Sequence, residues 1–376
     1  MAKETAGNSA DYEKAKSLYL KGRVDEAFPM IKIAASQGVA EAMYLLGEYF
    51  SQGYGHTTQD FKKGLMWRKK GAEAGNILAK LNATFTPKCS EKRRQETAKE
   101  LLPKILEMSS SGDILAQNEL ADMYLYGFGT PEDLDSGMHW LKTAADAGFW
   151  RPLNKLGEMY WDPNTPYYDI EKARACFKKA AGMGYGPAEM NLGVMYFFEK
   201  PKRVDLCIWY VKRSYAHGGE AAGDAAAFLD ELYSFSGAVP QDPVEGLSWA
   251  KRSIDLGSGR GMRNMGTHYN DGNGVPQDAD RAIEWYRKSA ETGFLNGKVA
   301  YGIALRSRNR EEEAAEQFRQ AASMGDTTAM VWYASCFLYG IGKEKNRNIG
   351  QAWLMSAANR GNEEAARLLK EEFPDG

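Results

Sequence analysis

The 376-residue chain has few cysteines, few histidines, no excess of either charge and no long apolar run. Its four cysteines, Cys89, Cys176, Cys207 and Cys336, are far apart and form no CxxC pair. That spacing excludes a zinc ribbon and a dense disulfide framework and predicts buried free thiols in a reducing compartment. The balance of 48 Lys+Arg against 50 Asp+Glu leaves a net charge of −2, which argues against a general nucleic-acid binder. No apolar stretch approaches the roughly 18–20 residues that span a bilayer. Met1 to Tyr12 are polar and lack an apolar signal core, so a cytoplasmic location is expected. The hydrophobic content, 43%, is too high for a disordered chain.

Catalytic patterns are also missing. His56, His139, His217 and His268 form no HExxH pair, and no two stand at metal-ligand spacing. There is no GxSxG elbow, no complete phosphate loop and no complete calcium loop; Asp271-Gly272-Asn273-Gly274 lacks the later ligands. The sequence therefore predicts no catalytic residue, no metal and no cofactor.

What is present is repetition. A short segment ending in glycine recurs at Gly38, Gly75, Gly112, Gly148, Gly184, Gly218, Gly257, Gly293, Gly325 and Gly361, at intervals of about 36 residues. Each period reads as two helices. In the first, an apolar residue, a small residue and an aromatic share one face, as in Leu156, Gly157 and Tyr160 or Met265, Gly266 and Tyr269. A glycine inside a helix costs about 1 kcal/mol, so its recurrence predicts a neighbouring helix too close for a side chain. The second helix has an Asp or Asn cap at Asp60, Asp133, Asp169, Asp242, Asp278 and Asn346. Eight residues before the terminal glycine of five periods stands Trp67, Trp140, Trp249, Trp285 or Trp353, read as core packing. Gly-x-Gly turns such as Gly272-Asn273-Gly274 join the two helices.

This pattern resembles the Sel1-like repeat family, a relative of the tetratricopeptide repeat. The best match is Met265-Gly266, Tyr269, Gly272-Asn273-Gly274, Asp278, Ala282, Trp285-Tyr286 and Gly293. The predicted fold is an all-α, right-handed superhelical α-solenoid of about ten antiparallel helix pairs with a C-terminal half-repeat. The expected units are 11–38, 39–75, 76–112, 113–148, 149–184, 185–218, 219–257, 258–293, 294–325 and 326–361, with a capping helix over 362–373 and a frayed segment over 1–10. Residues 76–112 and 294–325 depart most from the pattern; the first has Pro87 after its first helix and the second has Arg306 to Arg310 in place of a glycine turn.

The resemblance implies a non-enzymatic scaffold or adaptor, of a kind common in bacteria, that holds a protein or peptide in a concave groove. A monomer that binds neither membrane nor nucleic acid is expected. One alternative is a cognate inhibitor or immunity-type protein that neutralises one partner enzyme or effector. A remote one is nucleic-acid association through the basic segment 88–104. In tetratricopeptide-like stacks the first helices line the groove. Counted from the Leu of the Leu-Gly pair, positions −5, −2, +2 and +5 or +6 should face it. This register selects Glu41, Tyr44, Glu48, Asn118, Asp122, Tyr126, Arg151, Asn154, Glu158, Trp161, Phe197, Phe198, Glu231, Arg260, Arg263 and Asn270. The stretch up to Phe198 is acidic and aromatic and suits a basic peptide, while Arg260 and Arg263 make a basic end.

Overall fold

The computed structural model describes residues 2–54, 57, 59–86, 88–219 and 221–374, with side chains from Asp11 onward. Among the described residues it is built of helices, with no strand. His56 and Pro87 lie outside the described residues. The repeats fall into two compact units, Met1–Ala222 and Gly223–Gly376. Gly218 and Gly219, with φ of 71° and 75°, stand just before the boundary. Two successive residues in that region are compatible with glycine and with little else.

The first unit contains α1 (Ala2–Leu20), α2 (Val24–Ser36), α3 (Ala40–Gln52), α4 (Phe61–Glu73), α5 (Ile77–Asn82), α6 (Glu91–Ser110), α7 (Ile114–Tyr126), α8 (Leu134–Asp146), α9 (Trp150–Trp161), α10 (Ile170–Gly182), α11 (Gly186–Phe198) and α12 (Val204–His217). Residues 2–10, for which fraying is expected, belong to α1. At the boundary begins α13 (Ala222–Ser234), followed by α14 (Pro243–Asp255), α15 (Gly259–Asp271), α16 (Ala279–Glu291), α17 (Leu295–Arg306), α18 (Glu311–Ser323), α19 (Thr327–Tyr339), α20 (Arg347–Ala358) and α21 (Glu363–Glu372). Consecutive helices pack as hairpins, α3 on α4 and α15 on α16 among them.

The helix ends follow from local chemistry. The side chains of Asp60, Asp133, Asp169, Asp242, Asp278 and Asn346 each accept a hydrogen bond from a first-turn backbone N–H of the helix they precede. Each such cap is worth about 1 kcal/mol. All ten terminal glycines have positive φ, from 71° to 96°. The two irregular periods are visible too: α5 has only 6 residues and α6 has 20.

In α9–α10 and α15–α16 the small residue of the first helix faces a large one of the second. A Cβ on Gly157 would lie 2.5 Å from the Phe177 ring, and one on Gly266 would lie 2.5 Å from the Tyr286 ring. The repeated tryptophans are less buried than expected. Trp249 is buried, whereas Trp67, Trp140, Trp285 and Trp353 are half-buried. They sit at the margin of the second helix, and in three cases the cation three residues on lies over the indole: Lys70 on Trp67 at 4.7 Å, Arg252 on Trp249 at 4.2 Å and Lys288 on Trp285 at 4.3 Å. The slot thus shields hairpin edges with an aromatic–cation pair. Of the thiols, Cys207 and Cys336 are buried, while Cys89 and Cys176 are half-buried.

Gly157→Ala pushes a methyl group into the Phe177 ring. Overpacking outweighs the gain in helix propensity, and the variant loses about 1–2 kcal/mol in urea unfolding. An unchanged midpoint would show that the hairpin tolerates a wider spacing.

Candidate inner-face site

In the first unit the inner faces of the first helices meet. Tyr44 and Glu48 on α3 are buried, and so are Asn118 and Glu119 on α7 and Asn154 on α9. Glu48 is the hub. One carboxylate oxygen accepts from Arg68 Nε at 3.0 Å and Nη2 at 2.7 Å, and the other accepts from Arg151 Nη1 at 2.9 Å. Burial opposes the charge on Glu48, and the two guanidinium groups outweigh it, so its pKa lies below the ordinary carboxylate value. The Tyr44 hydroxyl donates to Glu119 at 3.0 Å, and Asn82 Nδ2 donates to the other oxygen at 2.9 Å. Burial raises the pKa of Glu119.

Aromatic rings fill the space beside these charges. Tyr19 of α1 packs against Tyr49, Phe149 and Trp150, and Trp150 Nε1 donates to the Tyr19 carbonyl at 2.7 Å across 131 residues of sequence. Arg151 reaches Glu48 across 103 residues. Glu41 pairs with Lys16 of α1 at 2.6 Å. The predicted lining residues Tyr44, Glu48, Asn118 and Asn154 are therefore interior groups of the unit, and Arg151 and Glu41 are tied to its other helices. The stack curves tightly enough for α1 and α3 to touch α9, so the −2 position, and +2 on α3, meet protein where an open groove was expected.

Further along, the face is open. Asp122 accepts from Lys155 Nζ at 2.9 Å, and that ammonium lies 4.4 Å from the Tyr126 ring centre. Asn154 Nδ2 donates to exposed Glu158 at 2.8 Å, and Asn191 Nδ2 donates to Asn154 at 3.1 Å. These contacts join α7, α9 and α11 into one row. Tyr126 is 49% exposed and Phe198 67% exposed at matching ends of their helices. Phe197 is half-buried with Lys202 4.4 Å from its ring centre. Trp161 is a packing residue: it is half-buried and lies edge-on to Phe177, the ring that abuts Gly157.

The second unit carries the remaining candidates. Glu231 accepts from Arg260 Nε at 2.9 Å and from Arg263 Nη2 at 3.1 Å, and Arg260 lies 5.3 Å from the Phe228 ring centre. One carboxylate, Glu231, serves both cations of the basic end expected there, so it offsets one of their two charges. Asn270 is exposed. A cleft between α19 and α21 is lined by Thr328, Val331, Ser335 and Tyr339, with Asn362, Glu364 and Leu368 opposite. The first four occupy the −5, −2, +2 and +6 register of α19. Their register is hidden in the sequence because Tyr333-Ala334 replaces the Leu-Gly pair from which it is counted.

Between α13 and α15 lies a polar cluster that the sequence did not signal. His268 is fully buried; its Nε2 faces Asp230 Oδ1 at 2.8 Å and its Nδ1 faces the Asn273 carbonyl at 2.7 Å. Both partners are acceptors, so the ring carries two protons. Burial opposes that charge, and the hydrogen bond and charge of Asp230, with the Asn273 carbonyl and Asp271, outweigh it and raise the pKa. Ser234 also donates to Asp230 at 2.9 Å. Among the described residues no group of three His, Cys, Asp or Glu is placed to hold a metal ion, and no helix is long and apolar enough to cross a membrane.

Stacked helical hairpins, most with a side-chain cap on the second helix and many with a glycine at the hairpin contact, define a helical-repeat solenoid. The Sel1 repeat model matches residues 40–76, 114–149, 153–185, 224–258, 259–294 and 327–362, more than half of the chain, and the chain belongs to that family. The irregular periods 76–112 and 294–325 fall between the matches. Sel1 repeats are generally non-catalytic scaffolds that mediate protein interactions. Chitin synthase regulatory factor 3 of Schizosaccharomyces pombe is 25% identical over 243 residues, which is 61% of this chain and 25% of that protein. The chain thus spans about a quarter of that relative's length. A protective antigen of uropathogenic Escherichia coli strains with an SLR fold is 24% identical, with coverage of 98% of this chain and 81% of that one at a TM-score of 0.45. Yeast Tom70 is 10% identical, with coverage of 98% and 95% at a TM-score of 0.52, a likeness of fold alone.

Glu48→Ala leaves two guanidinium groups facing each other without their carboxylate. It lowers the stability of the first unit by about 3–5 kcal/mol in denaturant unfolding. The His268 pair gives a pH dependence of known sign. Its folded pKa is raised, so its stabilisation is complete below the unfolded value near 6.5 and is lost as pH rises through the folded value. Urea unfolding then shows a less stable second unit at about pH 9 than at about pH 6, with a smaller slope in His268→Gln.

Proposed function

We propose that this protein is a cytoplasmic scaffold that binds a protein or peptide along the inner face of its first helices. The observation that carries the reading is the row on α7, α9 and α11. There Asp122, Glu158, Tyr126 and Phe198 share one register, and the unit's own side chains leave both rings exposed. Exposed aromatics cost free energy in water and supply most of the affinity when covered. Asp122 is already matched by Lys155, and Glu158, which pairs with no cation among the described residues, favours a segment carrying Lys or Arg and steers its approach. Tyr44 and Glu48 act one step back, by fixing the curvature from which the row is presented. The same face would serve an inhibitor that sequesters a single enzyme; one-to-one, very tight co-purification distinguishes that case.

The test is comparative capture from the native host. Wild-type protein retains a partner that Tyr126→Ala with Phe198→Ala loses, with at least about tenfold weaker binding and an unchanged melting temperature. Equal retention by both proteins would place recognition elsewhere.

A further inference from the structure

The outward face of α4 is strongly basic. Lys62, Lys63, Lys69 and Lys70 are exposed around Met66, which is itself 42% exposed, and Phe61 at the helix start is 68% exposed. Among the described residues Lys62, Lys69 and Lys70 pair with no carboxylate. Lys63 reaches only the capping Asp60, at 3.4 Å, and Lys70 lies over Trp67. On some other outer helices cations are neutralised locally, Lys288 by Glu284 at 3.0 Å, Arg310 by Glu313 at 2.7 Å and Arg319 by Glu316 at 2.7 Å, whereas exposed Lys178 and Lys179 on α10 and Lys251 on α14 also pair with no carboxylate among the described residues. In the basic stretch of α6, Arg94 pairs with Glu91 at 2.8 Å and Lys92 stands 4.0 Å from Glu96. In a chain with net charge −2, four clustered lysines repel one another and leave a local positive field.

We propose that this face of α4 docks an acidic, partly apolar polypeptide segment, at a second site separate from the α7–α11 row. Charge complementarity sets the sign of the partner. The two lysine pairs are seven residues apart, about 10 Å along the axis, which matches carboxylates at i and i+7 of a helix. Met66 between them is a flexible apolar contact for a side chain in the middle of that segment. A membrane is a poorer fit. The opposite face of α4, with Gly64, Arg68 and Gly71, is buried in the unit, so only Phe61 and Met66 could enter a bilayer.

The probe is a fluorescein-labelled amphipathic peptide with Glu at i and i+7 around a central Leu, titrated against the full chain by anisotropy. Its counterpart with Lys for Glu, phosphatidylserine vesicles and a DNA duplex complete the set. The expected result is saturable binding of the Glu peptide that weakens with salt. It falls at least about tenfold in Lys62→Glu with Lys69→Glu, and less in Lys62→Gln with Lys69→Gln, at unchanged melting temperature. Tyr126→Ala with Phe198→Ala retains it, which separates this site from the inner-face reading. No binding of the Glu peptide, no loss in the lysine variants, or equal affinity for vesicles or DNA overturns the proposal.

Discussion

Everything in this fold depends on how closely the two helices of a hairpin approach. A bare backbone at Gly157 lets the Phe177 ring lie against α9, and the same exchange of small for large brings Tyr286 against Gly266. In these hairpins the second helix supplies the large residue; in α7–α8 and α19–α20 the first helix does, with Leu125 against Gly137 and Leu338 against Gly350, and in each case the helices interlock at one register. That register decides which side of the first helix faces its partner and which side is left over. The left-over side becomes the inner face. The candidate recognition residues are therefore defined by a steric rule that acts on the opposite side of the same helix.

The two units use that inner face differently. In the first, curvature brings repeats together that are far apart in sequence, and the face becomes a second interior. Its charges are admitted because each has partners: Glu48 is held by Arg68 and Arg151, and Glu119 by Tyr44 and Asn82. A carboxylate removed from water without such donors would cost several kcal/mol. In the second unit the contacts named here link neighbouring repeats, as between Glu231 and Arg260 or His268 and Asp230. What remains for a partner is what curvature leaves uncovered, namely the row ending in Tyr126 and Phe198 and the cleft between α19 and α21. The α4 face is available for a different reason. It points outward, and of its four exposed lysines only Lys63 has a carboxylate beside it, Asp60.

The sequence by itself determined the hairpins. Caps at Asp133 or Asp278, stops at Gly148 or Gly293 and the small residue at Gly157 are local choices, made by backbone hydrogen bonding and steric fit within some forty residues. Hence the family, the helix ends and the irregularity of residues 76–112 were legible without coordinates. Only the tertiary structure decided which members of one register stay open. Tyr44 and Val331 both stand at −2, yet the first is sealed against Glu119 and the second lines a cleft. The difference arises from contacts between distant repeats, 75 residues apart for Tyr44 and Glu119 and 103 for Glu48 and Arg151. A pattern that repeats every hairpin cannot encode curvature that accumulates over several. For the same reason the pairing of Glu48 with Arg151 had no signal in residue spacing.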